Sequence, residues 1–190
     1  MRRKSLRDLK IELRERIKKI LRKIDEEERR RVSEEIKRNL LSLKILEKKN
    51  NILIYFSKSP EIDTTSIIEE LHKEGKNIYL PKIIDSEILP AVLDGFENLK
   101  KGKYGIMEPT SSVFVDEEKI DAVILPGIAF DTSGRRLGRG KGYFDRFLKR
   151  CRNAIKIALS YSFQVVEEVP EEENDERVNV IVTENEVIFV

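Results

Sequence analysis

The sequence predicts an α/β fold: a three-layer α/β/α sandwich around a mostly parallel sheet, preceded by two N-terminal helices. Three observations predict it. Over the first 50 residues, apolar side chains recur at helical spacing. Near residue 51 the pattern changes to short continuous apolar runs, the mark of strands covered on both faces. From there strand-like and helix-like segments alternate, which calls for parallel strands with helices on both sides.

The elements follow in order. Within 5–24, Leu6, Leu9, Leu13, Ile17, Ile20, Leu21 and Ile24 form one apolar stripe and predict an amphipathic helix. Lys10 and Arg14 lie one turn apart on a face read as separate from that stripe, so both can reach one anion. A solvated face is the alternative. Asp25, with Glu28 three residues later, reads as the N-cap of a second helix. That helix is expected to run to about Lys49 on Val32, Ile36, Leu40, Leu43 and Leu46. A strand is expected at 52–56, a helix at about 65–74 ending on Gly75, and a strand at 78–80. Further strands are expected at 88–93, 122–125, 155–159, 179–183 and 187–190, with helices at about 142–151 and 163–169. Residues 1–190 read as one domain, long enough to bury a core.

Composition narrows the function. No apolar run reaches 18 residues, which argues against a membrane span. The charged, amphipathic N-terminal stretch has no signal-peptide character, so a cytoplasmic protein is expected. A single cysteine, Cys151, excludes an internal disulfide and a cysteine-rich zinc site, and the single histidine, His72, excludes a histidine cluster. Residues 1–50 hold 19 Lys/Arg against 10 Asp/Glu, which invites a nucleic-acid reading. The basic runs are interleaved with Glu, however, the net charge is only +2, and no aromatic platform is present for stacking bases. No nucleic-acid or membrane partner is expected, and a monomer is.

Residues 125–148 read LPGIAFDTSGRRLGRGKGYFDRFL and carry the chemistry. An apolar strand end leads into a turn rich in Gly and Arg, then into a helix whose first turn holds Asp145. Alternating glycines let backbone N–H groups approach a ligand, Arg139 and Lys141 add charge, and the helix start adds its dipole. That combination suits phosphate, with Asp145 placed for an accompanying Mg²⁺. A flexible basic turn is the plainer alternative. The loop is not a P-loop, because Lys141 precedes Gly142 rather than Ser or Thr. It is not a dinucleotide fingerprint either, because Tyr143 stands where the third Gly belongs.

The segment resembles the signature of the 5-formyltetrahydrofolate cyclo-ligase (methenyltetrahydrofolate synthetase) family. That signature is Pro-Gly-x-x-Phe-Asp followed by Gly-x-Arg-Leu-Gly-x-Gly-x-Gly-Tyr-Tyr-Asp. Here Pro126-Gly127, Phe130-Asp131, Gly134, Arg136-Leu137-Gly138, Gly140 and Gly142-Tyr143-Phe144-Asp145 match, with Phe144 replacing the second Tyr. Weaker matches run along the chain in order: Lys10 to Arg14, Ser57, Glu61, Thr64, Gly75-Lys76, Leu80-Pro81, Tyr104 to Pro109, Gln164 and Asp175. The run from Arg3 to Arg7 is a partial second copy of the first of these. A second departure is Val178-Asn179 where the family has Val-Asp.

The resemblance implies a fold of the ribose-phosphate isomerase and coenzyme A transferase kind. It implies conversion of 5-formyltetrahydrofolate to 5,10-methenyltetrahydrofolate with ATP, releasing ADP and phosphate, and with Mg²⁺ as the metal. Arg136, Leu137, Gly138, Arg139, Gly140, Lys141, Gly142, Tyr143 and Phe144 would surround ATP, and Lys10 and Arg14 would clamp it. Arg139, Gly140, Lys141, Gly142 and Tyr143 would also touch the folate, with Glu61 on its pterin. Arg139 and Lys141 would stabilise the transferring phosphoryl group, and Asp145 and Asp175 would hold the metal. Glu61 reads equally as a charge favouring the following helix start, and Glu108 as a turn residue before Pro109. Two rivals stand: a sugar-phosphate isomerase on the same fold, and a non-enzymatic nucleic-acid module on the basic helices.

Overall fold

The computed structural model describes residues 4–102 and 105–190. Tyr104 and Arg3, both used in the matches above, lie outside the described residues. Helix α1 (Leu6–Leu21) starts at Ser5, whose hydroxyl accepts the Asp8 N–H while the Asp8 carboxylate accepts the Ser5 N–H. This reciprocal cap satisfies two donors, one of them a first-turn N–H that the helix leaves open. Helix α2 (Glu26–Leu41) starts at Asp25, which accepts the Glu28 N–H at 2.8 Å, as the sequence predicts.

Helix α2 does not continue to Lys49. It ends at Leu41, and a single turn, α3 (Lys44–Glu47), follows. Ser42 donates its hydroxyl to the Asn39 carbonyl and the chain bends through an extended Leu43. Apolar spacing could not reveal the bend, because the bent chain still buries Leu40, Leu43 and Leu46.

Strand β1 (Asn51–Ile54), helix α4 (Thr65–Lys73) and the hairpin of β2 (Asn77–Ile84) with β3 (Glu87–Val92) come next. Strands β4 (Leu99–Lys101) and β5 (Met107–Pro109) form a small antiparallel pair that the sequence did not reveal. After β6 (Ala122–Leu125), the two-residue strands β7 (Ala129–Phe130) and β8 (Arg136–Leu137) pair within the Gly/Arg segment. Helix α5 (Tyr143–Arg150) and strands β9 (Ile155–Leu159), β10 (Val180–Val182) and β11 (Val187–Phe189) complete the order.

The helix expected at 163–169 is absent; only a 3-10 turn, Ser162–Gln164, forms there. The backbone has other work. Val166 donates its N–H to the Phe130 carbonyl at 2.8 Å, and Val165 bridges Phe130 in strand fashion.

Seven strands form one sheet in the order β11-β10-β9-β6-β1-β2-β3. The five central strands are parallel, and β11 and β3 are antiparallel edges. Strand pleating separates the two faces. Ile52, Ile54, Ile78, Leu80, Ile124, Ile157 and Val182 pack with α1, α2 and α4. Leu53, Val123, Leu125, Ala158 and Ile181 pack with Phe147, Leu148 and Cys151 on and beside α5. The three layers are therefore those the alternation predicts. Fully buried side chains such as Ile36 and Leu40 each contribute about 2 kcal/mol by leaving water. No described helix is long and apolar enough to cross a membrane.

The order positions the site. From β1 the chain moves to β2 on one side, then returns to β6, β9 and β10 on the other. A crevice opens beyond the carboxyl ends of β1 and β6, where the direction of winding reverses.

Candidate active site

A cavity of about 150 Å³ occupies that crevice. Tyr55, Pro60, Glu61 and Ile62 enter it from the segment after β1, and Pro126, Gly127 and Ile128 from the segment after β6. Leu159, Gln164 and the end of α1 (Lys18, Leu21 and Arg22) close its remaining sides. Gln164 shapes the floor. Its amide donates to the Gly127 and Ile128 carbonyls at 3.0 Å each, and its oxygen accepts the Tyr161 N–H. Burial pushes the Tyr55 phenol well above its ordinary pKa, so the ring stays neutral.

Glu61 stands at the mouth. Its Oε2 accepts the Lys58 N–H at 2.9 Å and its Oε1 accepts from the Arg139 guanidinium. The Glu61 carbonyl is held at 2.7 Å by the buried Arg29. Arg139 is 61% exposed along its side chain. One guanidinium thus stands at the border between the cleft and the Gly-rich loop.

The loop is built on a turn organised by Asp131. Its Oδ1 accepts the Ser133 and Arg135 N–H groups at 3.0 and 3.1 Å, and its Oδ2 accepts the Val169 N–H at 2.9 Å. Beneath the loop, Arg136 is buried and donates to Asp145 Oδ1 at 2.5 Å, an oxygen that also accepts the Glu176 N–H. A Cβ on Gly138 would stand 3.0 Å from Arg136 Nη1, so this glycine makes room for the arginine. Gly140 and Gly142 have φ of 101° and 66°, the region where a Cβ is disfavoured. Among the described residues, the N–H groups of Arg139, Gly140 and Gly142 donate to no protein acceptor, and no side chain caps the start of α5. Such a run of open amides at a helix start attracts anions.

Helix α1 faces this loop. Lys10 is only 7% exposed along its side chain and reaches Asp175 at 2.5 Å and Glu172 at 2.8 Å. Burial works to lower its pKa, but the hydrogen bonds to Asp175 and Glu172 outweigh it and hold the ammonium above its ordinary value. Arg14 donates from Nε to the Gly138 carbonyl at 2.9 Å. The sequence reading placed Lys10 and Arg14 on a face apart from the apolar stripe, and that is corrected here. The buried face of α1 is Lys10, Leu13, Ile17 and Leu21, while Leu6, Leu9 and Ile20 are exposed. Lys10 is buried because its ammonium finds carboxylates on the 172–175 loop, which no local pattern announces.

The expected site residues fall into distinct places. Arg139, Gly140, Lys141 and Gly142 lie on the open loop, with Tyr143 at the helix start. The Tyr143 ring lies 5.9 Å from Lys141 Nζ and 5.4 Å from the Arg146 guanidinium. Leu137 is in the core, Phe144 packs against both apolar clusters, and Arg136 lies under the loop, so these three do not offer side chains to its open side. Asp145 and Asp175 come to one corner, because Glu176, next to Asp175, donates its N–H to Asp145. Glu108 is buried beside Gly102 in the β4–β5 pair, with its pKa raised by burial. Asn179 accepts the Lys156 N–H through Oδ1, a bond an Asp at this position would make equally well. Sequence reasoning missed Tyr55, Arg29 and the role of Asp131. Of these, only Asp131 had a signal, as the Asp closing the Pro-Gly-x-x-Phe-Asp run.

Comparison with known proteins agrees with this architecture. The sequence profile of the 5-formyltetrahydrofolate cyclo-ligase family matches residues 7–184. The 5-formyltetrahydrofolate cyclo-ligase of Mus musculus is 32% identical, over 91% of this chain and 92% of its own. That of Haemophilus influenzae is 30% identical, over 86% and 91%. The solution structure of Aquifex aeolicus 5,10-methenyltetrahydrofolate synthetase superposes with a TM-score of 0.87 at 41% identity, covering 95% of this chain and 92% of that one. The chain belongs to the 5-formyltetrahydrofolate cyclo-ligase family and is an enzyme of that kind.

Proposed function

We propose that residues 1–190 form a single domain that cyclises 5-formyltetrahydrofolate to 5,10-methenyltetrahydrofolate, consuming ATP with Mg²⁺ and releasing ADP and phosphate. The observation that carries this reading is the meeting of a crevice cavity with an open-amide, basic loop through one pair, Glu61 with Arg139. Two substrates that must exchange a phosphoryl group need adjoining sites, and this pair stands between them.

A formamide oxygen is a poor leaving group. Its attack on the γ-phosphorus of ATP expels ADP and leaves a carbon at N5 that N10 can attack. Ring closure then releases phosphate and a proton. No enzyme nucleophile is needed; the work is positioning and charge stabilisation. Glu61 suits the amino and amide edge of a pterin. Arg139 and Lys141 stabilise the transferring phosphoryl group, the loop amides and the start of α5 take ATP phosphates, and Lys10 and Arg14 approach from α1. Among the described residues no three His, Cys, Asp or Glu side chains form a metal-binding group. Asp145 and Asp175 are engaged by protein groups through one oxygen each, Oδ1 and Oδ2 respectively. They would hold a Mg²⁺ that arrives with nucleotide, since this ion takes one or two carboxylates and completes its shell with phosphate and water. Bound there, it supplies neutralisation of phosphate charge. The reading is of a monomeric, cytoplasmic enzyme acting on small molecules. The isomerase rival gains no support, because the profile that matches residues 7–184 is that of the cyclo-ligase family.

The test mixes the protein with 5-formyltetrahydrofolate, ATP and Mg²⁺ and follows the near-ultraviolet absorbance of the methenyl product. Turnover is expected only with both ATP and metal. Equal turnover without nucleotide would overturn the reading.

A further inference from the structure

We propose that Arg146 is a positioning residue for nucleotide binding, acting from behind the loop through the carbonyl oxygen of Lys141. The inference rests on the reading of 138–142 as the phosphate loop. Arg146 lies in the first turn of α5, and its guanidinium makes three bonds. Nη1 donates to the Lys141 carbonyl at 3.1 Å, Nη2 to the Ser86 carbonyl at 2.7 Å, and Nε to Glu87 at 2.9 Å. Ser86 sits in the turn between β2 and β3, where Asp85 and Ser86 both adopt left-handed backbone, with φ of 47° and 68°. The guanidinium thus braces the loop against a hairpin at the sheet edge.

The consequence follows from peptide planarity. In a trans peptide the C=O of residue 141 and the N–H of residue 142 point in opposite directions. With the carbonyl held on Arg146, the Gly142 N–H is turned to the other side, and it has no acceptor among the described residues. Left-handed Gly142 permits this orientation, and a Cβ there would stand 3.1 Å from Arg146 Nη1. Without the brace, rotation of this peptide would present a carbonyl oxygen where an anion needs a donor. The same device operates at the loop's other end. Arg14 holds the Gly138 carbonyl at 2.9 Å, which turns the Arg139 N–H away from α1. Two arginines from different helices thus hold the loop by its carbonyls and leave amides open.

Arg146 is not required to anchor the hairpin. Arg150 independently holds Glu87 at 2.6 Å and the Ile88 carbonyl at 2.8 Å. Its loss should therefore affect the loop more than the fold, and Arg146 is 43% exposed.

The test uses the full chain with Arg146→Gln, Arg146→Lys and Glu87→Gln. Steady-state kinetics are measured with each substrate varied, and ADP binding is measured by calorimetry. Arg146→Gln should raise the KM for ATP and the Kd for ADP by about 10-fold, the lower end for a group acting behind a ligand-binding one. The KM for the folate should stay within about 2-fold. Arg146→Lys should recover part of the loss, and Glu87→Gln, which keeps the bond to Lys141, should stay near wild type. Unchanged ATP and ADP parameters in Arg146→Gln, or an equal rise in both KM values, would overturn the proposal. Failure of wild-type protein to bind ADP would instead overturn the phosphate-loop reading, and this inference with it.

Discussion

The Lys10–Asp175 pair offers the sharpest measure of how α1 is tied to the site. The perturbation is a double-mutant cycle of Lys10→Met and Asp175→Asn. The pair is 2.5 Å apart, with side chains 7% and 21% exposed. A hydrogen bond between charged groups contributes about 1.5–3 kcal/mol, and partial exposure of the carboxylate moves the expected coupling to about 2 kcal/mol. Glu172 lies 2.8 Å from the same ammonium but is 54% exposed, so its coupling to Lys10 should stay below about 1 kcal/mol. Urea unfolding at pH 7 of wild type, both single variants and the double variant gives the coupling directly, and a parallel cycle uses Glu172→Gln. The Lys10 pKa is raised on folding, so its contribution is complete below the unfolded-state value and is lost as pH rises through the folded one. The coupling should therefore be the same at pH 7 and pH 9. A Lys10–Asp175 coupling below about 0.5 kcal/mol, or a larger one to Glu172, would refute the assignment of Asp175 as the principal partner.

Arg139→Ala and Lys141→Ala should each lower kcat by about 10²-fold, the cost of one preorganised charge on a transition-state oxyanion. Both residues are exposed, so thermal unfolding should barely move, and wild-type kcat in either would remove that residue from the phosphoryl group. Asp145→Asn should raise the Mg²⁺ concentration for half-maximal rate with folate affinity unchanged, and should also lower Tm, because Asp145 is the partner of buried Arg136; an unchanged metal titration would assign the metal to Asp175 or to ATP alone. Cys151 is fully buried, and burial pushes its thiol up to about 12. It should resist alkylation at pH 8 until the chain is unfolded, and rapid labelling of folded protein would contradict this packing.

Much of the site was legible because its chemistry is local in sequence. Residues 138–145 supply glycines, cations and a helix start within one turn of chain, and those alone predict an anion site. Asp25 with Glu28 likewise predicts a cap that the structure contains. What was not legible depended on partners far along the chain. Lys10 reads as a surface charge until Asp175, 165 residues later, is brought to it. The residues at 163–169 read as a helix because nothing local reveals that Phe130 takes their hydrogen bonds instead.

The sequence by itself determined the α/β class, the places of the main strands along the chain, the parallel core and a glycine-rich, basic loop ahead of a helix. Period, turn residues and local charge act over a few positions, so they can be read without coordinates. Tertiary structure alone decided that α1 buries Lys10, that Arg136 lies beneath the loop on Asp145, and that Glu61 meets Arg139 at the cleft mouth. It also decided which loop carbonyls are held by Arg14 and Arg146. Those outcomes depend on desolvation and on the pairing of charges between distant segments, and sequence spacing carries no record of either.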